Sequence, residues 1–431
     1  NGPVSAQDCP NAIAIDSNGN VYVTGFSAGI NSYDYCTIKY DPNGNQLWVA
    51  RYDGPIHGYD DASSLALDNN GNIYVTGRST GVDDSFDYCT IKYSTNGAFL
   101  WEARYNGTGN HTDTAEAIAV DSYGNVYVTG GSYGIDTYFD YCTIKYDTYG
   151  VEQWCERYDG ENKLDTARAI AVDIYGNVYV TGSITRSTTG ADYCTIKYSS
   201  SGIMLWEERY NGPGNWADNA RAIALDNNGN VYITGESIGI DSGTDYCTIK
   251  YSNNGIKLWD ARYDGISSEN DNPTAITVDN NDNVYVTGSS NGYVASCPDY
   301  CTIKYSSDGT QLWEARYSGL LGGDDSAYAI ATDNNGNIYV TGHIYTHTGY
   351  YDYCTIKYNS SGDLLWVKTY NGPANDQDFV QAIAVDDDGN VYVTGGSTGV
   401  SSKLDFCTIK YDTNGNELWV ATYNGPANGS D

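Results

Sequence analysis

The sequence predicts an all-β protein that folds as a single eight-bladed β-propeller with four antiparallel strands in each blade. The first observation behind this prediction is a tandem repeat marked by eight tryptophans spaced 52 to 54 residues apart, namely Trp48, Trp101, Trp154, Trp206, Trp259, Trp313, Trp366 and Trp419. The second is a set of four strand-like segments per repeat. Repeats of this kind are typical of propeller blades, because a lone blade has two apolar faces that only neighbouring blades can cover.

The four segments of the first repeat are 12–16, 20–24, 34–40 and 46–52, each bounded by turn residues. Gly19 in the first turn can adopt the left-handed backbone conformation that closes a tight hairpin, and only the sixth repeat replaces it, with Asp282. A second turn glycine recurs in every repeat, as Gly44, Gly97, Gly150, Gly202, Gly255, Gly309, Gly362 and Gly415. We therefore expect one domain over 1–431, with repeats at about 8–59, 60–112, 113–164, 165–217, 218–270, 271–324, 325–377 and 378–431.

Composition and charge exclude several classes of protein. The chain has 43 tyrosines and one methionine, which suits half-buried strands, and it contains no apolar segment of the roughly 18 residues that membrane insertion requires. A net charge of −33 argues against nucleic-acid partners, which require a basic face. The first residues, Asn1-Gly2-Pro3, include neither an initiator methionine nor a secretory leader, so we expect a processed protein or a fragment.

The repeat carries a family resemblance in four motifs of its fourth copy: AIAVD at 169–173, GNVYVTG at 176–182, DYCTIKY at 192–198 and LWEERY at 205–210. These resemble the bacterial β-propeller repeat called SBBP, a relative of NHL-type repeats. The resemblance implies the propeller fold and a secreted or cell-surface location, and it implies no particular activity.

Cysteine distinguishes this chain from the family, which more often has a small apolar residue at the same position of the third strand. Eight of the 11 cysteines stand there, and we expect them to be small buried hydrophobes, too far apart to pair with one another: Cys36, Cys89, Cys142, Cys194, Cys247, Cys301, Cys354 and Cys407. Cys155 is expected on the fourth strand directly opposite Cys142, which permits a cross-strand disulfide and leaves two free thiols as the alternative.

A lysine also recurs in every third strand, on the face opposite the recurring cysteine. Because the same residue appears eight times, we expect a structural role, as a partly buried partner of a recurring aspartate such as Asp8, Asp16 or Asp34, rather than a catalytic one. The eight are Lys39, Lys92, Lys145, Lys197, Lys250, Lys304, Lys357 and Lys410.

Calcium is the one cofactor that the sequence suggests. Its candidate ligands are the oxygen-rich side chains of Asp16, Asn18 and Asn20 in the first turn and of Asp324 and Asp325 in a later loop. No segment matches an EF-hand loop, and Asp and Asn are also ordinary turn residues, so a turn role is the alternative.

No catalytic residues are assigned, because the chain has only four histidines, all outside the repeated positions, and no Gly-x-Ser-x-Gly motif. Four sequons are candidate glycosylation sites: Asn106, Asn110, Asn359 and Asn428. Loop aromatics are candidates for a glycan-binding surface or for packing over the propeller face: Tyr133, Tyr138, Tyr350, Tyr351 and Trp216.

Near-identical blades favour a non-enzymatic extracellular or cell-surface propeller that acts as a structural scaffold, an adhesive or binding module for surface proteins or glycans, or a filament subunit. The alternative is a carbohydrate-active or other extracellular enzyme built on the loops, which requires paired acids from different blades at the channel mouth. The match between Asn1-Gly2-Pro3 and Asn424-Gly425-Pro426 raises a further hypothesis, head-to-tail self-association.

Overall fold

The computed structural model describes residues 7–29, 32–240, 242–266, 268–292, 297–319, 322–346, 349–400 and 403–426. Over these ranges the chain forms 32 strands in eight four-stranded antiparallel sheets, and each sheet is a meander of four consecutive strands. The predicted eight-bladed propeller is therefore confirmed. Within the same ranges there is no helix long and apolar enough to cross a membrane.

The first four blades contain strands β1 to β16. Blade one has β1 Cys9–Ile15, β2 Val21–Ala28, β3 Tyr33–Tyr40 and β4 Gln46–Tyr52. Blade two has β5 Asp60–Leu67, β6 Ile73–Thr80, β7 Phe86–Tyr93 and β8 Phe99–Tyr105. Blade three has β9 Asp113–Val120, β10 Val126–Tyr133, β11 Phe139–Tyr146 and β12 Glu152–Tyr158. Blade four has β13 Asp165–Val172, β14 Val178–Arg186, β15 Gly190–Tyr198 and β16 Met204–Tyr210.

The other four blades contain strands β17 to β32. Blade five has β17 Asp218–Leu225, β18 Val231–Ile238, β19 Thr244–Tyr251 and β20 Lys257–Tyr263. Blade six has β21 Asp271–Val278, β22 Val284–Asn291, β23 Pro298–Tyr305 and β24 Gln311–Tyr317. Blade seven has β25 Ser326–Thr332, β26 Ile338–Tyr345, β27 Tyr351–Tyr358 and β28 Leu364–Tyr370. Blade eight has β29 Asp378–Val385, β30 Val391–Thr398, β31 Leu404–Tyr411 and β32 Glu417–Tyr423.

The turn predictions are confirmed in the backbone angles. Gly19 has a φ of 76°, and Asp282, its counterpart in the sixth blade, has a φ of 59°. Gly97, in the second turn of blade two, has a φ of 80°, and a Cβ there would lie 2.7 Å from the Trp48 indole of blade one. Glycine is needed in the second turn for two reasons, the left-handed conformation and the tryptophan that packs on it from the preceding blade.

Eight hydrophobic clusters hold the blades together, one at each junction. The cluster between blades one and two combines Tyr22 and Tyr35 with Val75 and Cys89, all of them buried. The cluster between blades eight and one repeats this arrangement with Tyr392 and its neighbours. The prediction that the eight recurring cysteines are buried is confirmed, since none of their side chains is exposed.

The aspartate predicted near the recurring lysines is present as a nearby charge: Lys250 lies 3.9 Å from Asp226, and burial lowers the pKa of Lys39 while the charge of Asp16 opposes that lowering. Lys39 donates a hydrogen bond to the backbone carbonyl of Thr95 in the next blade, at 3.1 Å, and its ammonium lies 4.8 Å from the Tyr22 ring centroid. All eight lysines make this bond to the following blade. Their role is therefore to connect neighbouring blades through a carbonyl and an aromatic face.

The ring closes within the chain, and every blade is built from contiguous residues. At the closing junction, Lys410 and the indole N–H of Trp419 both donate to the Pro42 carbonyl, at 3.2 and 3.1 Å. The Asp8 carboxylate accepts a hydrogen bond from the Gly425 N–H at 2.6 Å. Head-to-tail self-association stays a prediction, and residues 1–3, on which it depends, lie outside the described ranges.

Candidate functional site

Each innermost strand contains one β-bulge, at the same position of the repeat. A single unpaired residue stands opposite the glycine of the VTG motif, and the eight bulge residues are Asn11, Ser63, Glu116, Arg168, Arg221, Thr274, Tyr328 and Gln381. The glycine is required because a backbone carbonyl of the bulged strand packs directly onto its Cα. A bulge redirects a side chain out of the regular alternation of a strand.

Seven of the eight bulge residues line two cavities beside the first strands, and Asn11 donates hydrogen bonds to Asp61 and to the Ala62 carbonyl of blade two. Each first strand contacts the first strands of both neighbouring blades, so the eight together surround the axis. Five bulge residues from five consecutive blades line one cavity of about 500 Å³: Arg168, Arg221, Thr274, Tyr328 and Gln381. We call this cavity, with the adjoining residues of the second strands, the channel mouth.

The channel mouth is a place within the strands where the near-identical blades differ in chemistry. Seven residue types occupy the eight bulge positions. The residue after the glycine opposite the bulge is also variable, with six residue types: Phe26, Arg78, Gly131, Ser183, Glu236, Ser289, His343 and Gly396. An eightfold scaffold therefore carries an asymmetric set of side chains at one end of its channel.

Charged residues occupy one half of the channel mouth. Arg221 donates to the Glu236 carboxylate at 2.7 Å, and Arg78 pairs with Asp61 at 3.3 Å. Glu116 lies with Asp61 and Arg78 around a second cavity of about 210 Å³. Burial raises the pKa of the Glu116 carboxyl, and the positive charge of Arg168 opposes that rise.

An aromatic cluster lies in blades seven and eight. The His343 ring centroid lies 4.4 Å from that of Tyr351, 5.1 Å from that of Tyr328 and 5.7 Å from that of Phe379. Burial lowers the pKa of His343 to about 4, so its imidazole is neutral at pH 7. Tyr328 connects this cluster to the cavity that Arg168 and Arg221 also line.

Only some of the aromatic residues that the sequence suggested for glycan binding lie at the channel mouth. Tyr351 belongs to the aromatic cluster, whereas Tyr133 packs on Phe139 in blade three, with ring centroids 4.6 Å apart. Trp216 and Tyr138 lie exposed in outer loops. The bulge residues were not predicted from the sequence as a group. An alignment of the eight repeats would have located them, because they occupy a variable position in an otherwise regular first strand.

The first-turn calcium candidates have other roles in the structure. One carboxylate oxygen of Asp16 accepts the N–H groups of Asn18 and Asn20, and the other accepts the Asn20 amide and the Tyr22 hydroxyl. In the later loop, the two Asp325 carboxylate oxygens accept the N–H groups of Gly319 and Tyr345, and Asp324 is exposed. Calcium binding at Asp16, Asn18, Asn20, Asp324 and Asp325 stays a prediction.

The register predicted for Cys142 and Cys155 is wrong. Cys142 stands opposite Arg157, and Cys155 stands opposite Ile144, because the turn at 147–151 and a bulge after Lys145 move the pairing by two residues. The two thiols are free, with their sulfur atoms 3.7 Å apart on the diagonal. The structure thus contains a hydrogen-bonded pair of free thiols, the alternative to the candidate disulfide.

Mild oxidation with diamide is expected to join Cys142 and Cys155. The hydrogen bond from Cys142 lowers the pKa of Cys155, which favours the thiolate that starts disulfide formation. Peptide mass spectrometry should find the two peptides cross-linked with the loss of two hydrogen atoms. Cys194, which has Glu207 at the position of Cys155, is the control and should remain a thiol; oxidation of Cys155 without a cross-link would contradict the prediction.

The three described sequon asparagines lie outside the strands. Asn110 has a φ of 47° in a turn, and the amides of Asn106 and Asn359 donate to Asp83 and Asp363. Asn428 lies outside the described residues. Glycosylation at Asn106, Asn110, Asn359 and Asn428 stays a prediction.

Comparison with known proteins supports the repeat assignment. The model of the SBBP family, described as a beta-propeller repeat, matches residues 4–33, 50–84, 153–186, 209–241, 261–294, 315–346 and 368–400. An uncharacterized WD repeat-containing protein, L264, of Acanthamoeba polyphaga mimivirus is 26% identical over 91% of this chain, which spans 33% of that relative's length.

Two solved structures are similar at low sequence identity. A structure described as the eukaryotic initiation factor has a TM-score of 0.51 and 9% identity, over 96% of this chain and 88% of that one. A protein of unknown function from Bacteroides caccae has a TM-score of 0.39 and 13% identity, over 69% of this chain and 93% of that one. At these identities the likeness of the first concerns the fold alone.

Proposed function

The chain belongs to the SBBP β-propeller repeat family, and we propose that it is a non-enzymatic binding module whose ligand site is the channel mouth. The observation that carries this proposal is the concentration of variable side chains at one end of a channel formed by regular blades. The repeated residues are needed for the stability of each blade. Stability does not explain why Arg168, Arg221 and Tyr328 stand at equivalent positions of their blades.

An acidic carbohydrate is the ligand class that this chemistry fits best. Arg168 is exposed in the channel and donates no hydrogen bond to any residue that the structure describes, so its guanidinium is available for a carboxylate. Tyr328 is 38% exposed and offers a ring face for sugar stacking, and Gln381 offers an amide for hydroxyl groups. The chain as a whole has a net charge of −33 and repels anions. An arginine without a hydrogen-bonded partner therefore marks one specific place where an anion is attracted.

We place this binding activity outside the cell or on its surface. The support is the resemblance to repeats of secreted and cell-surface proteins, together with a ligand class that is abundant there. A scaffold or filament role is compatible with the same ring and does not explain the asymmetric mouth.

The test is a glycan array followed by titration of oligosaccharides that contain uronic acid. Arg168→Ala is expected to weaken binding about 10- to 100-fold, because a charge-assisted hydrogen bond contributes about 1.5–3 kcal/mol. Lys257→Ala removes one positive charge from the outer strand β20 and is the matched control, with unchanged binding expected. Equal binding by Arg168→Ala and wild type, or equal binding of carboxyl-reduced glycans, would refute the proposal.

A carbohydrate-active enzyme is the second candidate, because Asp61 and Glu116 come from neighbouring blades and line one cavity. Burial raises the pKa of both carboxyl groups, a property of general acids. The ion pair of Asp61 with Arg78 favours the structural role. Release of reducing sugar that Glu116→Gln abolishes would favour this candidate over the binding module.

A further inference from the structure

Four of the eight blades have an acidic residue at one equivalent position of the fourth strand, opposite the isoleucine of the third strand. In blade two this residue is Glu102, whose carboxylate accepts a hydrogen bond of 2.7 Å from the Tyr52 hydroxyl of blade one. Arg104 donates to the same hydroxyl at 3.2 Å and lies 3.8 Å from the carboxylate. Blade six repeats this arrangement with Glu314, Tyr263 and Arg316. The position is therefore suited to a negative charge at a blade junction.

Blade three has a cysteine, Cys155, at this position. The tyrosine and the arginine are still present, because Arg157 donates to the Tyr105 hydroxyl of blade two at 3.3 Å. The Cys142 thiol of the neighbouring strand adds a further donor, with its Sγ 3.7 Å from that of Cys155. Cys155 thus stands where other blades hold a carboxylate, and a thiolate is the negatively charged form that its surroundings favour.

The pKa of Cys155 agrees with these contacts. The hydrogen bond from Cys142 lowers this pKa most, the tyrosine hydroxyl and the arginine charge lower it further, and burial and the charge of Glu152 oppose the lowering. Cys9 is also partly exposed, and burial with two nearby aspartates raises its pKa to about 12. Because the thiolate is the nucleophile, two partly exposed thiols of this chain are expected to differ widely in reactivity.

The two sulfurs of the pair also differ in access from solvent. Cys155 is partly exposed, whereas Cys142 has no exposed surface. A small oxidant can therefore reach the sulfur of Cys155 first. The Cys142 sulfur is next to it and can react only with what forms there.

We propose that Cys155 is a peroxide-reactive thiolate and that Cys142 is its resolving thiol. The Cys155 sulfur attacks one oxygen of a hydroperoxide and the O–O bond breaks. The leaving oxygen takes up the proton that the thiol had lost and departs as water or an alcohol, which leaves a sulfenic acid on Cys155. The Cys142 sulfur then attacks the sulfenic sulfur, the S–O bond breaks, and a disulfide and water form. The two thiols supply the two electrons that reduce the peroxide, so each chain reacts once until an external thiol reduces the disulfide.

The experiment is the addition of hydrogen peroxide to the reduced full-length protein, followed by peptide mass spectrometry over time. Wild type is expected to lose two hydrogen atoms through a cross-link between Cys142 and Cys155. Cys142→Ser should stop at the sulfenic acid, which dimedone traps on Cys155. Cys155 should react at least about 10-fold faster than Cys9 at pH 7, because its thiolate is more populated and the lower nucleophilicity of that thiolate offsets only part of the gain.

Two variants test the surroundings of the reactive sulfur. Cys155→Glu installs the residue of blade two, so it should fold, as circular dichroism checks, and should leave Cys142 reduced. Tyr105→Phe keeps the ring and removes the hydroxyl. It should raise the midpoint of the pH–rate profile for Cys155 by about 0.5–1 pH unit, an effect that a purely structural tyrosine would not have.

Cys9→Ser is the matched control and should leave the rate at Cys155 unchanged. Equal rates at Cys9 and Cys155 in wild type, or no sulfenic acid in Cys142→Ser, would overturn the proposal. The pair lies on strands β11 and β12 of blade three and shares no residue with the channel mouth. Peroxide reactivity and glycan binding therefore succeed or fail independently.

Discussion

Gly395→Ala is expected to destabilise the propeller by about 2–4 kcal/mol, a large effect for one methyl group. The added Cβ would overlap the backbone carbonyl of Phe379 and would lie 2.5 Å from the Cα of Val380. Both obstacles are backbone atoms of the bulged strand β29, so they cannot move without breaking the pairing that holds Gln381 in the channel. Guanidinium unfolding monitored by tryptophan fluorescence measures the effect.

The adjacent residue provides the matched control. A Cβ at Gly396 would meet only the flexible side chain of Leu404, at 3.3 Å, and six of the other blades have a side chain at this position. Gly396→Ala should therefore change the free energy of unfolding by less than about 1 kcal/mol. Similar losses for the two variants would show that the bulge geometry is not what requires Gly395.

The repeat explains why the fold was predictable from sequence. Turn glycines and period-two segments are local signals, and eight copies show each of them repeatedly, so the third and fourth strands of blade one were placed to within one residue. The first and second strands are longer than predicted, because residues 9–10 and 25–28 extend the sheet beyond the bulge at Asn11. A bulge interrupts the alternation on which strand prediction depends.

Contacts between blades could not be predicted in the same way. Sequence indicated that the lysines are buried and that an aspartate lies near them, but it did not indicate their hydrogen-bond acceptor, because the acceptor of Lys39 is a carbonyl about one repeat further along the chain. Asp34 and Asp60 also meet from two different blades, and no local pattern indicates which aspartates lie together. The channel mouth was missed because its residues share a position and not a residue type.

Asp352 is a buried carboxylate near a second one, an arrangement that only the structure reveals. It leads to a prediction about how the stability of the protein depends on pH. Burial raises the pKa of its carboxyl to about 6, with the negative charge of Asp378 adding to the rise, and its Oδ1 has no hydrogen-bond partner. Blades one to six offer an arginine near the equivalent aspartate, whereas blade seven has Thr369 at that position. Among the residues that the structure describes, only burial and the charge of Asp378 contribute to the shift, and both raise the pKa.

The sign of the pH effect follows from the raised pKa. The protonated form of Asp352 is favoured in the folded state, so its contribution to stability is complete below the unfolded pKa of 3.8 and is lost as the pH rises through about 6. At pH 7 the folded protein therefore contains a destabilising buried charge. Asp352→Asn should remove it and raise the free energy of unfolding by about 1–3 kcal/mol at pH 7, with little gain at pH 4.

Denaturant unfolding at pH 4, 5, 6 and 7 in the presence of a chelator tests this expectation. The difference between wild type and Asp352→Asn should grow as the pH rises from 4 to 6 and change little from 6 to 7. Between 3.8 and about 6 the carboxyl is ionised in the unfolded chain and still protonated in the folded one, so this is the range in which stability is lost. Asp308→Asn, which changes an exposed turn residue, should show no such growth. A pH-independent difference for Asp352→Asn would mean that the asparagine acts through hydrogen bonding to Asp378 and that the charge of Asp352 is not the source of the instability.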